Sequence, residues 1–431
     1  MLDAAFVLIA SFALLLVLGI PIGICIAVSS VITIALVLPL EIALFTTAQK
    51  IFSSLDSFSL LAVPFFILSG VMMNTGGIAI RLVNFAKLFS GQIPGSLSHT
   101  NIAGNMMFGA ISGSAIAAST SIGGVMVPMS KKEGYKNSFA AAVNIASAPT
   151  GMLIPPTTAF ILYALASGGT SIAALFAGGL IAGVLWGGGC MLVTYFIARR
   201  RGYRSERLVE KGTALRVTLE ALPSLLLIIV VVVGIIAGVF TAIEASAVAV
   251  VYTAFLTMVV YRSVSMAGLR DVLAQTLVMS GIIMFLLGTS SVMSFAMAIT
   301  GLPELISGMI LGLSDNPIIV LLVITLFLLL IGTFMDIGPA ILIFTPILLP
   351  IALKIGVDPV HFGILMVYNL CIGTITPPVG SGLYVGASVA NEKVEKILPS
   401  LMPFYGVIIL VLLLIALVPE VTLFLPRILE L

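Results

Sequence analysis

Charged residues are scarce in this sequence, and histidine and cysteine are nearly absent. Only 8% of the 431 residues are charged and 60% are hydrophobic, whereas a soluble domain carries about a quarter charged residues. The net charge of +2 is too small to indicate nucleic acid or an acidic partner. The three cysteines, Cys25, Cys190 and Cys371, lie in apolar stretches without CxxC or metal-ligand spacing. We therefore expect buried free thiols and no disulfide.

Apolar segments long enough to cross a membrane recur along the whole chain. A helix needs roughly 20 apolar residues to span the hydrocarbon core, and the alternating pattern of a membrane β-strand is absent. The sequence therefore predicts an all-α polytopic membrane protein. The first segment has no basic residues before it, so we expect a retained helix and not a cleaved signal peptide. The clearest segments are residues 4–20, 58–73, 172–198, 222–240 and 404–418.

The largest basic cluster divides the chain near its middle. Residues 199–216 contain seven Lys or Arg and two Glu. Positive charge concentrates in short cytoplasmic loops of membrane proteins. This segment is therefore predicted to be a cytoplasmic loop, which orients the helices in the membrane.

The two halves on either side of this loop resemble each other at a constant spacing of 222 residues. GMLIPP at 151–156 corresponds to GTITPP at 373–378. Gly and Pro fix the shape of the backbone, so their repetition in register indicates a repeated structure. Inverted repeats with broken helices are typical of secondary transporters. The matched pairs are Pro128 and Pro350, Gly134 and Gly356, Gly151 and Gly373, Pro155 and Pro377, and Pro156 and Pro378.

Each half contains two short apolar arms joined by a polar tip. Residues 96–129 are interrupted by SGS at 112–114, and residues 318–353 by GTFMD at 332–336. An arm of roughly 15 residues is about 22 Å long, which is too short to span the membrane. We therefore predict two re-entrant helical hairpins whose tips lie near the middle of the membrane, buried in protein or lining a cavity.

A discontinuous helix follows each hairpin. Residues 138–167 are broken by APTGMLIPP at 148–156, and residues 360–390 by GTITPP at 373–378. Two adjacent prolines remove two amide donors and disfavour helix in the residue before them. The carbonyls that lose their partners can bind a desolvated cation. The amide end of the half-helix that follows can bind an anionic group.

These elements divide the chain into alternating scaffold and transport segments. The division follows the repeat and places the basic loop between the halves. The predicted parts are scaffold helices over 1–95, first-repeat transport elements over 96–198, the cytoplasmic loop over 199–216, scaffold helices over 217–315, second-repeat transport elements over 316–396 and a C-terminal helix over 397–431.

Oxygen-bearing side chains collect at the tips and breaks, which suits sodium. Asp336 is the one carboxylate at a tip, and an ionisable residue inside the membrane indicates function. The repeat predicts two sodium sites, with an anionic solute between them at the half-helix N-termini. Simpler interpretations stay open, namely small residues that permit helix packing, prolines that only kink a helix, and asparagines that hydrogen-bond in the core. The candidate oxygen ligands are Ser112, Ser114, Asn144, Thr150, Thr333, Asn369, Thr374 and Thr376.

Motifs along nearly the whole chain resemble the large membrane (M) subunit of tripartite ATP-independent periplasmic (TRAP) transporters. The resemblance implies a sodium-coupled importer that works by an elevator motion. It also implies two partners on separate polypeptides, a small four-helix membrane subunit (Q) and a periplasmic solute-binding protein (P). The motifs are DSFSLLAVPFFILSG at 56–70, ISGSA at 111–115, APTGMLIPP at 148–156, GTFMD at 332–336, DPVHFGILMVYNL at 358–370 and TPPVG at 376–380.

The resemblance further implies which residues form the sites. The first sodium site is expected at Ser112, Gly113, Ser114, Asn144 and Gly151. The second is expected at Gly332, Thr333, Asp336, Gly373 and Thr376. The substrate-binding residues, around the half-helix N-termini, are expected to be Thr150, Pro155, Pro156, Thr157, Pro377, Pro378, Gly380 and Ser381.

The expected substrate is a small organic anion, either sialic acid, another sugar acid or a C4-dicarboxylate. Small polar residues around both breaks favour a polyhydroxylated acid such as sialic acid. Three other functions stay open. A one-component sodium/anion symporter would work without a binding protein, and a passive channel would need a continuous pore. An intramembrane protease would need a nucleophile beside a base, which no motif supplies, so we expect no enzymatic activity.

Overall fold

The computed structural model describes residues 2–91, 93–203, 213–312 and 314–431, which form helices joined by short turns without a strand among them. The first half contains α1 (Leu2–Val17), α2 (Ile22–Val37), α3 (Leu40–Leu55), α4 (Ala62–Thr75), α5 (Ile78–Ser90), α6 (Ser96–Ser112), α7 (Ala115–Lys132), α8 (Asn137–Ser147), α9 (Thr158–Ala166) and α10 (Ile172–Arg201). The second half contains α11 (Ala214–Ile236), α12 (Ala242–Ala254), α13 (Met266–Thr300), α14 (Leu302–Leu311), α15 (Pro317–Gly332), α16 (Ile337–Lys354), α17 (Pro359–Thr374), α18 (Ser381–Ala390), α19 (Val394–Leu417) and α20 (Glu420–Ile428).

Seven helical segments in the described ranges are long and apolar enough to cross a membrane. This confirms the predicted polytopic α-helical fold. The shorter apolar helices include α15, the first arm of the predicted second hairpin, and α17, the first arm of the second discontinuous helix. The other arm of that hairpin, α16, was predicted to be too short to span, but its length and composition place it among the seven. The seven segments are Phe58–Thr75, Ile172–Arg201, Ala214–Ile236, Ala242–Val260, Met266–Thr300, Ile337–Lys354 and Val394–Leu417.

Two helical hairpins enter the bundle from opposite ends. In the first, α6 and α7 pack together and turn at Gly113, whose φ of +61° lies in the left-handed region that favours glycine. In the second, α15 and α16 pack together and turn at residues 333–336. The open end of the first hairpin carries Lys131 and Lys132, whereas that of the second carries Lys354 beside Ser307 of α14.

Charged side chains mark the two ends of the bundle. Basic residues cluster where α7 and α10 end and where α19 begins, while several acidic residues lie at the starts of helices on the opposite side. This distribution agrees with the orientation predicted from the basic cluster, with the open end of the first hairpin in the cytoplasm. The basic set includes Lys131, Lys132, Lys136, Arg199, Arg200, Arg201, Lys393 and Lys396, and the acidic set includes Glu244, Glu304, Asp358 and Glu420.

The two repeats are joined at the end of the bundle that carries the basic residues. The amide of Asn137, at the start of α8, donates to the carbonyl of Ala390 at 2.9 Å and to the carboxylate of Glu392 at 3.4 Å. The second hydrogen bond lowers the pKa of Glu392. The contact fixes the start of one discontinuous helix to the end of the other.

The first arms of the discontinuous helices form the centre of the bundle. Every residue of α8 from Phe139 onward is buried, as is every residue of α17 from His361 onward. Trp186 of α10 donates to the carbonyl of Ala146 at 2.8 Å, and its ring lies 4.8 Å from that of Tyr368. This packing fixes the position of the breaks that follow.

Two predicted boundaries differ from the structure. The cytoplasmic loop predicted over 199–216 is shorter, because α10 continues through Arg201 and α11 begins at Ala214, while residues 204–212 lie outside the described ranges. Arginine is a good helix former and its charge is favourable at a helix C-terminus. The single C-terminal helix predicted over 397–431 is instead α19 and α20, separated at Pro419, which cannot continue the hydrogen-bonding pattern of a helix.

Candidate functional site

A cavity of about 780 Å³ lies between the two hairpin tips. Ser112, Gly113 and Ser114 line it from the first tip, and Asp336 lines it from the second. Residues of α9, α16 and α18 complete this side, and α2, α4 and α13 form the opposite wall. The structure therefore brings both predicted tips to one shared cavity.

The first tip lies against the break that follows it. A Cβ added to Gly113 would lie 3.8 Å from the Thr158 nitrogen and 3.9 Å from the Pro156 carbonyl oxygen. Ser114 caps α7, since its hydroxyl accepts from the Ala117 amide at 3.3 Å. The Ser112 hydroxyl is buried and has no hydrogen-bond partner among the described residues. A buried polar atom of this kind is costly unless a ligand or ion satisfies it.

The second tip joins its own discontinuous helix through a side-chain hydrogen bond. The hydroxyl of Ser381, at the start of α18, donates to Asp336 Oδ1 at 3.2 Å. Asp336 occupies the N-cap position of α16, yet its side chain accepts no capping bond from that helix. The carboxylate is therefore held toward the cavity and α18, where it can bind a cation.

Four threonine hydroxyls at the tips and breaks donate to nearby carbonyls. Because a hydroxyl has one hydrogen, this use leaves the lone pairs of its oxygen free for a cation. Neutral oxygens and one carboxylate suit sodium, so the residues fit the predicted ion. The hydroxyls are those of Thr150 to Ser147 at 2.6 Å, Thr333 to Leu330 at 2.7 Å, Thr374 to Cys371 at 2.7 Å and Thr376 to Ile372 at 2.7 Å.

Two pairs of glycines let each hairpin contact its discontinuous helix closely. A Cβ added to Gly151 would lie 2.1 Å from Gly109 Cα, and one added to Gly373 would lie 2.1 Å from the carbonyl carbon of Gly332. Real Cβ atoms essentially never approach within 3.0 Å. The sequence offset of 222 residues matches Gly332 with Ala110 and not with its neighbour Gly109. The comparison of the two halves therefore did not identify Gly109 as the contact of Gly151.

The proline pairs lie where the discontinuous helices are broken, as predicted. After α8, a turn of 3₁₀-helix over Ala148–Met152 leads to Pro155 and Pro156, and α9 then begins under a cap in which Thr157 accepts from the Ala159 amide at 3.2 Å. Pro377 and Pro378 separate α17 from α18 in the same way.

Only part of the predicted substrate-binding set reaches the cavity. Pro156 and Ser381 line it, and so does Thr158, one residue beyond the predicted Thr157. The direction of a side chain at a helix start changes by about 100° per residue, which sequence spacing alone does not resolve. The predicted residues that are not among its lining are Thr150, Pro155, Thr157, Pro377, Pro378 and Gly380.

Asn144 is held in a buried network apart from the tip with which it was grouped. Its amide nitrogen donates to the carbonyl and the hydroxyl of Ser119, both at 3.0 Å. Its side-chain oxygen accepts from the amide of Asn105 at 3.1 Å, and that amide also lies 2.8 Å from the Ser147 hydroxyl. The network links α6, α7 and α8. The sequence analysis missed this network, although the polar pair Asn101 and Asn105, one turn apart on an apolar helix, was a signal that could have revealed it.

Replacing Asn144 with Ala is expected to lower the stability of the transport elements. The change leaves the polar atoms of Ser119 and Asn105 without partners in a buried site, which costs about 1–3 kcal/mol per group. Thermal unfolding of the purified protein in detergent will measure the effect. Asn84→Ala in α5, where the asparagine accepts only from Lys87, is the control. Equal melting temperatures of the two variants would contradict a structural role for the network.

The family model of the DctM component of the tripartite ATP-independent periplasmic transporter matches residues 9–421. The chain belongs to this family. The resemblance found from the motifs is confirmed, and the protein is a multi-pass inner-membrane TRAP large permease and not an enzyme.

Relatives match over most of the chain. YgiK of Salmonella typhimurium, whose role is uncharacterised, is 49% identical over 97% of this chain and 96% of its own length. The sialic acid TRAP transporter large permease SiaM of Vibrio cholerae is 37% identical over 88% of this chain and 89% of its own. The isethionate TRAP transporter permease DctMQ of Oleidesulfovibrio alaskensis is 39% identical over 97% of this chain, which spans 66% of that protein.

A solved transporter shares the architecture. The YdaH transporter of Alcanivorax borkumensis superposes with a TM-score of 0.61 and covers 88% of each chain at 14% identity. At this identity the likeness concerns the fold. It supports the predicted class, a polytopic helical transporter fold.

Proposed function

We propose that this permease imports a small organic anion by coupling its movement to sodium. The observation that carries the proposal is the shared cavity, which two oxygen-rich hairpin tips enter from opposite ends of the bundle. Each tip contacts its own helix break, so each half can bind one ion. The unpaired Ser112 hydroxyl supports the first site, and the Asp336 carboxylate supports the second.

The electrostatics of the cavity support cation binding together with the substrate. Its lining, as far as the described residues show, contains no Lys, Arg or His, and Asp336 is its one ionisable side chain. An anion entering this cavity has no fixed positive side chain to balance its charge. Bound sodium ions and the amide ends of α9 and α18 would supply that balance.

The grouping of the helices supports an elevator motion. The hairpins and discontinuous helices pack on one another, while α2, α4 and α13 form the opposite wall. Gly70 of α4 lies close to the first tip, since an added Cβ would be 3.2 Å from the Ser112 carbonyl oxygen. We infer that the hairpins and discontinuous helices slide as one block past this wall, carrying ions and substrate.

Two further proteins complete the proposed system. A periplasmic binding protein would deliver the anion, and a small four-helix membrane subunit would support the scaffold. Membership of the TRAP family supports both partners. The relatives named for isethionate and for sialic acid support an organic acid as the substrate class.

Uptake into proteoliposomes tests this function directly. We expect accumulation of the anion to require an inward sodium gradient, the small subunit and the binding protein together. Transport by this chain alone would favour a one-component symporter. Uptake that is unaffected when sodium is replaced by potassium would contradict the coupling. Non-saturating uptake at high substrate would favour a channel.

A further inference from the structure

The backbone of the second helix break is hydrogen-bonded to a side chain from another helix. The hydroxyl of Tyr405 in α19 donates to the carbonyl of Ile375, which lies between α17 and the proline pair. The offset of 222 residues matches Ile375 with Leu153 of the first break. In the described part of the chain, no donor bonds to the Leu153 carbonyl. The two breaks therefore differ in how their backbone is held.

A glycine occupies the place of Tyr405 in the first repeat. The same offset matches Tyr405 with Gly183 of α10. A Cβ added to Gly183 would lie 2.4 Å from a side-chain carbon of Ile154 and 3.3 Å from the Cβ of Leu153, so α10 itself packs against the first break. At the second break, α19 instead reaches the backbone with the end of a long side chain.

Tyr405 supplies a donor that the interrupted helix lacks. Pro377 and Pro378 have no amide hydrogen, and no backbone amide among the described residues donates to the Ile375 carbonyl. Ile375 and Tyr405 are both buried. A buried carbonyl and a buried hydroxyl each need a partner, so this hydrogen bond holds the break in one orientation.

The bonded carbonyl lies inside the second predicted sodium site. Ile375 is flanked by Gly373, which contacts Gly332 of the hairpin, and by Thr376. Tyr405 itself is not among the residues that line the cavity. Any effect of its hydroxyl on an ion must therefore pass through the backbone of the break.

We propose that Tyr405 is a positioning residue for the sodium ion at the second tip. By holding the Ile375 carbonyl, it fixes the backbone between Gly373 and Thr376, and with it the distances between the oxygens that bind the ion. This inference rests on the proposed function. It also makes the two sites unequal, because the hydroxyl has no counterpart at Gly183 in the first repeat.

Tyr405→Phe tests the proposal, since it removes the hydroxyl and keeps the ring. We expect the sodium concentration that gives half-maximal uptake to rise about fivefold, in line with the net contribution of one buried hydrogen bond. Saturating sodium should restore the maximal rate, because the ligands remain and only their arrangement is loosened. Uptake is measured in proteoliposomes with the small subunit and the binding protein, over a range of sodium concentrations.

Tyr368→Phe is the matched control. Tyr368 is also buried, and its hydroxyl donates from α17 to the carbonyl of Ile408 in α19 at 3.1 Å, away from the break. Both variants should lower the melting temperature by similar amounts, but Tyr368→Phe should keep the wild-type sodium dependence. The same sodium dependence in both variants would overturn the inference and leave the proposed function standing. Wild-type uptake without a sodium requirement would contradict the proposed function itself.

Discussion

Replacing Asp336 with Asn is expected to reduce sodium-driven uptake by more than about 100-fold. Asn has nearly the same size and can still accept from Ser381, whose hydroxyl lies 3.2 Å from the carboxylate. The change therefore removes mainly the charge. Asp336 is exposed to the cavity, and at an effective dielectric constant of about 20 two unlike charges about 4 Å apart attract by about 4 kcal/mol. A loss of about 100-fold corresponds to about 2.7 kcal/mol. Sodium-dependent uptake in proteoliposomes measures the effect.

Sodium titration separates loss of ion binding from loss of structure. Glu304→Gln in α14 removes an exposed charge outside the cavity and serves as the control, with uptake expected to match the wild type. If Asp336→Asn still folds and assembles but requires far more sodium, the carboxylate binds the ion. An unchanged sodium dependence in this variant would exclude Asp336 as a ligand.

The architecture could be predicted because Gly and Pro report backbone shape directly. Pro155 and Pro377 marked helix breaks from sequence alone, since proline removes a donor wherever it lies. Polar residues between apolar arms marked the tips for a related reason. Non-helical backbone inside a membrane must be buried in protein or line a water-filled cavity. These features depend on a few adjacent residues, which a single sequence displays.

The parts of the site that the sequence did not predict depend on contacts between segments that are distant in the chain. Asn144 joins a network whose other members lie on α6 and α7, so its own helix gave no indication that its side-chain oxygen is already bonded. The cavity wall formed by α2, α4 and α13 was not predicted, because Ile67 and Ile282 resemble any lipid-facing residue in sequence. Only the fold shows that they face the cavity.

Gly151→Ala and Gly373→Ala are each expected to reduce uptake at least tenfold. An alanine Cβ would lie 2.1 Å from backbone atoms of Gly109 or Gly332, which cannot turn aside as a flexible side chain can. The hairpin must therefore move away from its discontinuous helix by about an ångström or more, and misplacement of that size can cost about 100-fold in a reaction that depends on geometry. The distances between oxygen ligands at the tip would change with it.

Matched glycines elsewhere make this test specific. Gly188 in α10 and Gly406 in α19 also lie within helices, but a Cβ added there meets nothing within 4 Å. Alanine at these positions should leave uptake unchanged or slightly stabilise the helix, because glycine is about 0.5–1 kcal/mol less favourable in a helix. Wild-type uptake in Gly373→Ala would show that the close contact is not required.

The two glycine variants also test whether both halves of the repeat bind sodium. Gly151 lies at the first helix break, against the first hairpin, and Gly373 lies at the second break, against the second hairpin. Each variant therefore disturbs one predicted site and leaves the other intact. If two ions are coupled to each substrate, either variant should lower the steepness of the sodium dependence as well as the rate. If only Gly373→Ala does so, the ion is bound at the second tip beside Asp336, and the first tip contributes to substrate binding alone.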